Sequence, residues 1–357
     1  MKRRKVRIAL LFGGRSAEHE VSLASASAIY KNLDKNRYAV TSIFIDKAGR
    51  WRRVGSPLLP PEKLQNGPSS SFLPWEAFPS LPRRVRADVY FPVLHGPYGE
   101  DGTIQGLLEM ADVPYVGAGV LASASGMDKA VMKVLFADRN LPIVRHRVYV
   151  DVEWQKSRKA ILDLIGKEFP LPFFVKPANL GSSVGISKVK NRGDTERALA
   201  WAFRYDRKVI VEEGIKGREI ECSVLGNDEP RASLPGEVIP YREFYDYRDK
   251  YLDGKTRFRI PADLPAAVVR KVQRLSVEAY LAVGCSGMAR LDFFLEEGTG
   301  KLYVNEINTI PGFTEISMYP KLWGVSGVPF GRLIEELIRL GLERHRRKKR
   351  CLDRLAR

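Results

Sequence analysis

Near the C-terminus, two apolar runs carry charges at matched positions, and few chain paths satisfy both. Met288–Leu295 holds Arg290 and Asp292; the turn signal Glu297-Gly298-Thr299-Gly300 follows, and then Leu302–Asn308, which holds Glu306 and Asn308. Side chains on a strand alternate faces, so Arg290 and Asp292 share one face, and so do Glu306 and Asn308. A Gly-containing turn that closes an antiparallel hairpin sets Asp292 near Glu306 and Arg290 near Asn308. Two carboxylates and an amide oxygen then converge beside a guanidinium. Hard oxygen donors of this kind suit Mg²⁺, which takes a few carboxylates together with substrate phosphates. For such a pair seen alone, a hairpin with one wet, salt-bridged face carries about equal weight, and the rest of the chain has to decide.

The chain has 357 residues, enough for two or three packed domains. Its 44% apolar and 28% charged content is that of a folded globular protein rather than a disordered one. No run of ~18 apolar residues exists, so no membrane span is expected. The basic start followed by Ile8–Phe12 imitates a signal peptide, but the apolar run is short and Gly13-Gly14-Arg15, Glu18 and Glu20 interrupt it. It reads as a buried first strand of a cytoplasmic protein. Cys222, Cys285 and Cys351 form no CxxC pair, which fits a reducing compartment with Cys222 and Cys285 in the core.

The net charge of +17 invites a nucleic-acid role, but residues 1–7 carry +5 and residues 343–357 carry +6, eight Lys/Arg against Glu343 and Asp353. Eleven of the seventeen charges thus sit in the two ends. Such ends either bind polyanions weakly or are simply solvated; they are expected to be dispensable for catalysis, and no physiological nucleic-acid partner is expected.

The first third alternates strand and helix: Val6–Phe12, a helix capped by Ser16, Tyr38–Ile45, Ala87–Val93, and a helix over 103–111. That alternation predicts a parallel sheet covered on both faces, with ligands at the carboxyl ends of its strands. Residues 55–82, rich in Pro, Ser and Gly, read as a surface excursion. A boundary falls near 125–129, giving expected units of 1–126, 127–221 and 222–357. Beyond it come a helix at Lys129–Asp138, strands at Phe173–Pro177, Lys208–Glu212 and Glu219–Leu225, a polar loop over 240–261, and helices over 266–283 and 330–342.

Several segments could carry chemistry. Gly181-Ser182-Ser183-Val184-Gly185 lies between strands, where small residues let backbone N–H groups close over phosphate oxygens. A Gly-rich hairpin turn is the commoner meaning, and no Walker lysine follows. Lys176 sits in the apolar run Phe173–Pro177, an unusual place for a surface charge. Lys129 opens a helix, where the macrodipole disfavours a cation unless an anion is near. Gly117–Ala122 matches G-x-G-x-x-A, but at the end of the first unit it reads as a tight turn. Glu18, just after the Gly13-Gly14 turn, is placed to grip an ammonium group. Tyr245–Tyr251 has the length and chemistry of a lid.

Taken in order, these segments resemble the D-alanine–D-alanine ligases of the ATP-grasp superfamily over roughly residues 5–342. The likeness is carried by Gly13–Ser22, His95–Gly102, Met127-Asp128-Lys129, Lys176-Pro177 with Gly181–Gly185, Gly217-Arg218-Glu219, Glu243–Tyr251, Arg290-Leu291-Asp292 and Asn305–Gly312. The resemblance implies an α/β architecture, an ATP-grasp fold preceded by an N-terminal wound parallel-sheet (pre-ATP-grasp) domain. It also implies two D-alanine molecules and ATP as substrates, giving a dipeptide for peptidoglycan in a cytoplasmic homodimer with no membrane partner. Two Mg²⁺ ions are implied, with Mn²⁺ as a substitute and a monovalent cation as a further candidate.

By the same resemblance, Lys129, Lys176 and Ser183 hold the phosphates, Glu212 meets the adenine amine, Ile215 lends backbone contact and Glu219 takes the ribose hydroxyls. Glu213 stands where many members carry a lysine. Asp292, Glu306 and Asn308 bind metal, with Glu306 bridging. Arg290 and the Gly312 N–H face the tetrahedral oxyanion. Glu18 binds the first ammonium, Ser182 and Tyr251 link Glu18 to the lid, His95 lines the site, and Lys250 and Ser317 bind the second carboxylate. The alternatives within the superfamily are a ligase joining D-alanine to D-lactate, or another ATP-grasp ligase. An alternative of a different class is a polyanion-binding protein on a dead ligase fold, against which the intact charged set argues.

Overall fold

The computed structural model describes residues 4–65, 87–181, 184–241 and 256–355. The first sheet has the order β3-β2-β1-β4, from β1 (Val6–Gly13), β2 (Tyr38–Ile45), β3 (Trp51–Val54) and β4 (Val89–Val93). β1 is parallel to β2 and β4, and β3 is an antiparallel edge strand. The continuous apolar run of β1 is buried on both faces, as a central parallel strand requires. Ile8, Leu10 and Phe12 pack with helices α1 (His19–Asn32) and α10 (Phe330–Leu355), while Ala9 and Leu11 pack with α3 (Thr103–Met110). The excursion over 55–82 contains a short helix, α2 (Pro61–Gln65), and otherwise lies largely outside the described residues. Tyr115 adds one parallel bridge to Tyr90 of β4.

The second sheet is antiparallel, β5-β8-β6-β7, from β5 (His146–Val150), β6 (Phe173–Pro177), β7 (Ser187–Val189) and β8 (Lys208–Glu213). Helices α6 (Asp151–Glu168) and α7 (Thr195–Ala202) cover it through Ile165 and Leu199. The third sheet runs β12-β11-β9-β13-β14 with β10 beside β9. Its strands are β9 (Gly217–Gly226), β10 (Arg231–Ala232), β11 (Gly236–Ile239), β12 (Arg257–Arg259), β13 (Gly287–Glu296) and β14 (Leu302–Asn308). β12 lies where the sequence suggested only a polar loop: three residues with two arginines give no apolar alternation to read.

The chain passes from the second sheet to the third at residues 214–216, so the division expected at 221/222 falls inside β9. Helix α5 (Lys129–Asp138), expected with the central unit, buries Met132 and Phe136 in the core of the third sheet beside α8 (Ala266–Ala282). α4 (Val120–Met127) leads into it, after a Gly117 turn at φ 97°, and α9 (Met318–Val325) precedes α10. Burial pushes the thiols of Cys222 and Cys285 up to about 11 and about 12, so neither is a ready nucleophile.

The C-terminal basic stretch is helical rather than irregular: Arg346–Cys351 are exposed, while Arg344 is half-buried against the body of the protein. α10 continues to Leu355, thirteen residues past the expected stop. Arg344 donates to the Gly117 carbonyl, to Tyr115 O at 3.2 Å and to Ser286 Oγ at 2.8 Å, and lies 4.2 Å over the Tyr115 ring. It thereby ties α10 to both the first and the third sheet. Its neighbours Arg347 and Lys348 pair with Asp228 and Glu109. Arg344→Ala should cost ~1–3 kcal/mol, since it strands two carbonyls and a hydroxyl. Arg346→Ala, on the exposed face of the same turn, should stay within ~0.5 kcal/mol. Chemical denaturation of the two variants checks this, and equal effects would remove the cross-linking role of Arg344.

Candidate active site

The terminal hairpin pairs as the sequence implied: Asp292 opposite Glu306 and Arg290 opposite Asn308. β9 adds a third strand in register, with Glu221 opposite Asp292 and Ser223 opposite Arg290. One face therefore carries a row of three carboxylates, Glu221–Asp292–Glu306, beside the row Ser223–Arg290–Asn308. Arg290 compensates the acidic row. Its Nε lies 2.7 Å from Asp292 Oδ1 and 3.1 Å from Glu221 Oε2, and its Nη2 lies 2.7 Å from Asp292 Oδ2. Lys129 Nζ lies 3.4 Å from Glu306 and donates to Leu180 O at 2.9 Å, on the approach to the Gly loop.

Among the described residues no three His, Cys, Asp or Glu side chains converge as metal ligands. The candidate set is instead two carboxylates and an amide. Asn308 Oδ1 is shielded from solvent and accepts no hydrogen bond among the described residues. A buried acceptor without a donor is costly, and a cation beside it would remove that cost. Together with the Asp292 and Glu306 oxygens, now held by Arg290 and Lys129, this set fits a hard divalent ion.

Lys176 and Glu212, expected at the nucleotide, belong to a second cluster. Glu212 is 2% exposed; Lys176 Nζ lies 2.5 Å from its Oε2, and Lys133 Nζ 2.9 Å from its Oε1. Burial works against the Glu212 carboxylate, but the two lysines outweigh it and hold its pKa far below the usual carboxylate range. Burial likewise opposes the charge of Lys176, yet Glu212, Glu306 and Glu219 together raise its pKa. The three lysines and three glutamates thus form one electrostatic group across the second and third sheets. Ile215 lies at the passage between those sheets, and Glu213 pairs with Arg145 at 3.4 Å.

Glu18, His95, Arg290, Gly312 and Ser317 line one cleft of about 640 Å³, which Lys129, Glu306 and Asn308 also line. Glu18 occupies the N-cap position of α1 without capping it; Ser16, expected as the cap, donates to His95 O at 2.6 Å and accepts from the Glu18 N–H at 3.1 Å. A Cβ on Gly96 would sit 2.9 Å from Glu18 Oε2, and one on Gly181 would sit 3.1 Å from it. The Gly loop therefore starts against Glu18. A Cβ on Gly312 would lie 2.7 Å from Ser317 Oγ, so those two positions adjoin.

A buried relay holds the Gly312 segment. His95 Nδ1 lies 2.9 Å from Ile310 O, so that nitrogen carries the proton, and Nε2 accepts from Ser25 Oγ at 3.0 Å. Ser25 Oγ in turn accepts the Phe313 N–H at 3.1 Å. Glu100 Oε1 lies 3.7 Å from His95 Nδ1.

Ser182, Ser183, Lys250 and Tyr251 lie outside the described residues. Sequence reasoning missed Ser25, Glu100, Lys133 and Glu221. Lys133 is four residues after Lys129, on the same helical face, and Glu221 is two after Glu219, on the same strand face, so periodicity could have found both. Ser25 and Glu100 gave no such signal.

A cleft between an N-terminal parallel-sheet unit and an antiparallel sheet carrying acidic rows, with Lys129 and the start of the Gly loop at its edge, fits the ATP-grasp ligase that the sequence resembles. Comparison with known proteins bears this out. Residues 7–118 match the family model for the D-ala D-ala ligase N-terminus, and residues 135–339 match that for the D-ala D-ala ligase C-terminus. A D-alanine–D-alanine ligase from Solibacter usitatus is 53% identical over 96% of this chain and 98% of its own. The D-alanine-D-alanine ligase structure from Coxiella burnetii superimposes with a TM-score of 0.83 at 38% identity, covering 98% of this chain and 97% of its own. The VanG D-Ala:D-Ser ligase structure from Enterococcus faecalis gives 0.82 at 34% identity, over 95% and 100%. This chain belongs to the D-alanine–D-alanine ligase family.

The His95–Glu100 pair makes stability depend on pH. Burial pushes the Glu100 carboxyl from 4.5 up to about 7, against the pull of His95 and with the help of the Glu18 charge. Burial opposes a charged His95, but Glu100 and Glu18 outweigh it and raise the ring's pKa. Both groups bind protons more tightly in the folded state. The stability they confer is full below the unfolded carboxyl value and is lost as pH rises through about 7. Glu100→Gln should flatten that fall, by on the order of 1–3 kcal/mol between pH 5 and 8. Denaturation midpoints across that range measure it; parallel profiles for the two proteins would contradict the assignment.

Proposed function

We propose that this protein is an ATP-dependent ligase that joins two D-alanine molecules into D-alanyl-D-alanine, for peptidoglycan precursor synthesis. The observation that carries the reading is the convergence of Glu18, His95, Lys129, Arg290, Glu306 and Gly312 on one cleft. The near-full-length likeness to D-alanine–D-alanine ligases supports the choice of substrates over the D-alanine–D-lactate alternative. In this reading the N-terminal unit supplies Glu18 and His95 to the substrate, the central sheet supplies Lys176 and Glu212 to the nucleotide, and the C-terminal sheet supplies metal and further substrate residues. The protein works in the cytoplasm, where ATP is available, as a homodimer like that inferred for the family. No described helix is long and apolar enough to cross a membrane.

The chemistry follows from charge. A carboxylate is a poor acyl donor, so the γ-phosphoryl group moves from ATP to the first D-alanine carboxylate: a carbon-bound oxygen gains phosphorus and ADP departs. The neutral amine of the second D-alanine then attacks that carbonyl, a C–N bond forms, and phosphate leaves with its oxygen. Glu18 holds the first ammonium. Lys129 and Lys176 neutralise the phosphates, with the Gly181–Gly185 backbone over them. Arg290 and the Gly312 N–H meet the oxyanion, and the Ser25–His95 relay fixes the segment that presents Gly312. Ser317 beside Gly312 takes the second carboxylate, with Lys250. Ser182 and Tyr251 complete the link from Glu18 to the lid. Glu212 and Glu219 hold adenine and ribose. Asp292, Glu306 and Asn308 would hold Mg²⁺, or Mn²⁺ in its place, and bound metal would neutralise charge between the phosphates.

Phosphate release from ATP with D-alanine, compared with L-alanine, D-serine and D-lactate, tests the reading. The expected product, separated by chromatography, is D-alanyl-D-alanine; release without it, or an equal rate with D-lactate, would sink the assignment. Glu306→Gln should lower turnover by about 10²-fold or more at an unchanged thermal midpoint, because the metal that would neutralise the phosphates loses one of its two carboxylates. Near-normal turnover of that variant at saturating Mg²⁺ would remove Glu306 from the metal set.

A further inference from the structure

Lys133 is the one member of the buried charge cluster to which the mechanism gives no part. It is 0% exposed, on α5, four residues after Lys129. The β13–β14 register skips Asn305, which leaves a bulge after Asp292. The Asn305 carbonyl lies 3.5 Å from Lys133 Nζ. The closer partner is Glu212 Oε1 at 2.9 Å. A helix of the third sheet's core thereby reaches a carboxylate of the second sheet.

Glu212 has its two oxygens divided between two lysines, Oε1 with Lys133 and Oε2 with Lys176. The lysines are not equivalent. Lys176 is the one proposed to hold a nucleotide phosphate, and an ammonium that turns to a phosphate leaves Oε2 without its partner. Lys133 is enclosed on all sides and stays.

We propose that Lys133 is a positioning residue for base selection: it keeps Glu212 ionised and turned so that Oε2 accepts from the 6-amino group of adenine. The proposal rests on the reading of Glu212 as the adenine contact. A buried carboxylate with no cation beside it takes up a proton and becomes a donor. A protonated Glu212 no longer rejects a 6-oxo purine, which offers an acceptor where adenine offers a donor. An ionised Glu212 favours adenine and repels hypoxanthine. The depressed pKa of Glu212, with Lys133 as the larger of its two cationic causes, agrees with this role.

The test is the binding of ADP and of IDP in the presence of Mg²⁺, read by calorimetry on the whole protein. Wild type should prefer ADP. Lys133→Met should lose about tenfold or more of that preference, mainly through weaker ADP binding, as expected when a buried polar contact to a ligand is mispaired. In a Glu212→Gln background the same substitution should leave the ADP/IDP ratio unchanged. Lys133→Gln, which retains a donor, gives a second reading should the methionine variant fold poorly. Equal loss of ADP and IDP in the Lys133 variants, with Glu212→Gln still narrowing the preference, would make Lys133 a purely structural ion pair and overturn the proposal. No narrowing in Glu212→Gln alone would overturn the adenine contact itself, and this proposal with it.

Discussion

Three carboxylates on adjacent strands of one sheet face cannot stand side by side without a cation, and Arg290 is where this protein supplies one. Asp292 takes two of its guanidinium contacts and Glu221 a third, all within 3.1 Å. The planar fork suits this duty as a lysine would not, because one group satisfies two carboxylates in fixed directions. The rest of the site is arranged around that compensation. Glu306, at the far end of the row, is met by Lys129 instead, and Asn308 keeps a shielded oxygen with no donor among the described residues. Two cations thus stand against three carboxylates on this face, which leaves it one negative charge in excess.

The same device recurs on the second sheet, where Glu212 is shared between Lys133 and Lys176. Buried pairs of this kind add little net stability against apolar packing, but removing one partner is costly. Their value here is that charge is placed before any ligand arrives. Catalysis by charge neutralisation depends on such placement, because groups already oriented need no rearrangement as charge develops.

The cleft is lined by the N-terminal unit, the third sheet and Gly181 of the β6–β7 connection, so its geometry depends on how these are tied together. Ser25 and His95 fasten the Ile310–Phe313 segment to the N-terminal unit, Lys129 and Lys133 join the core helix of the third sheet to the Gly-loop approach and to Glu212, and Arg344 anchors the last helix to the first and third sheets. The ties are buried or half-buried polar contacts, to backbone carbonyls and N–H groups, to hydroxyls and imidazole, or to an opposite charge. Apolar packing alone would let the units slide, whereas hydrogen bonds fix direction as well as distance.

Local periodicity was enough to settle much of this protein. Alternation in Leu302–Asn308 and Met288–Leu295 put Asp292 opposite Glu306 and Arg290 opposite Asn308, because a strand has only two faces and a short turn leaves little choice of register. The apolar runs of β1, β2 and β6 were equally legible, and order and spacing of motifs carried the family. Tertiary structure alone decided what those signals do not encode. Glu221 joins the acidic row only because β9 pairs with β13, and that neighbour is chosen over some seventy residues of sequence. Ser25 matters only because a loop 288 residues away brings the Phe313 N–H to it. Nothing in the sequence of the basic end of α10 says which segments it meets; Arg344 reaches Tyr115, Gly117 and Ser286, all more than fifty residues away. Hydrogen bonds and ion pairs between distant segments leave no period in the sequence, since their partners are fixed by packing that the whole chain has to complete first.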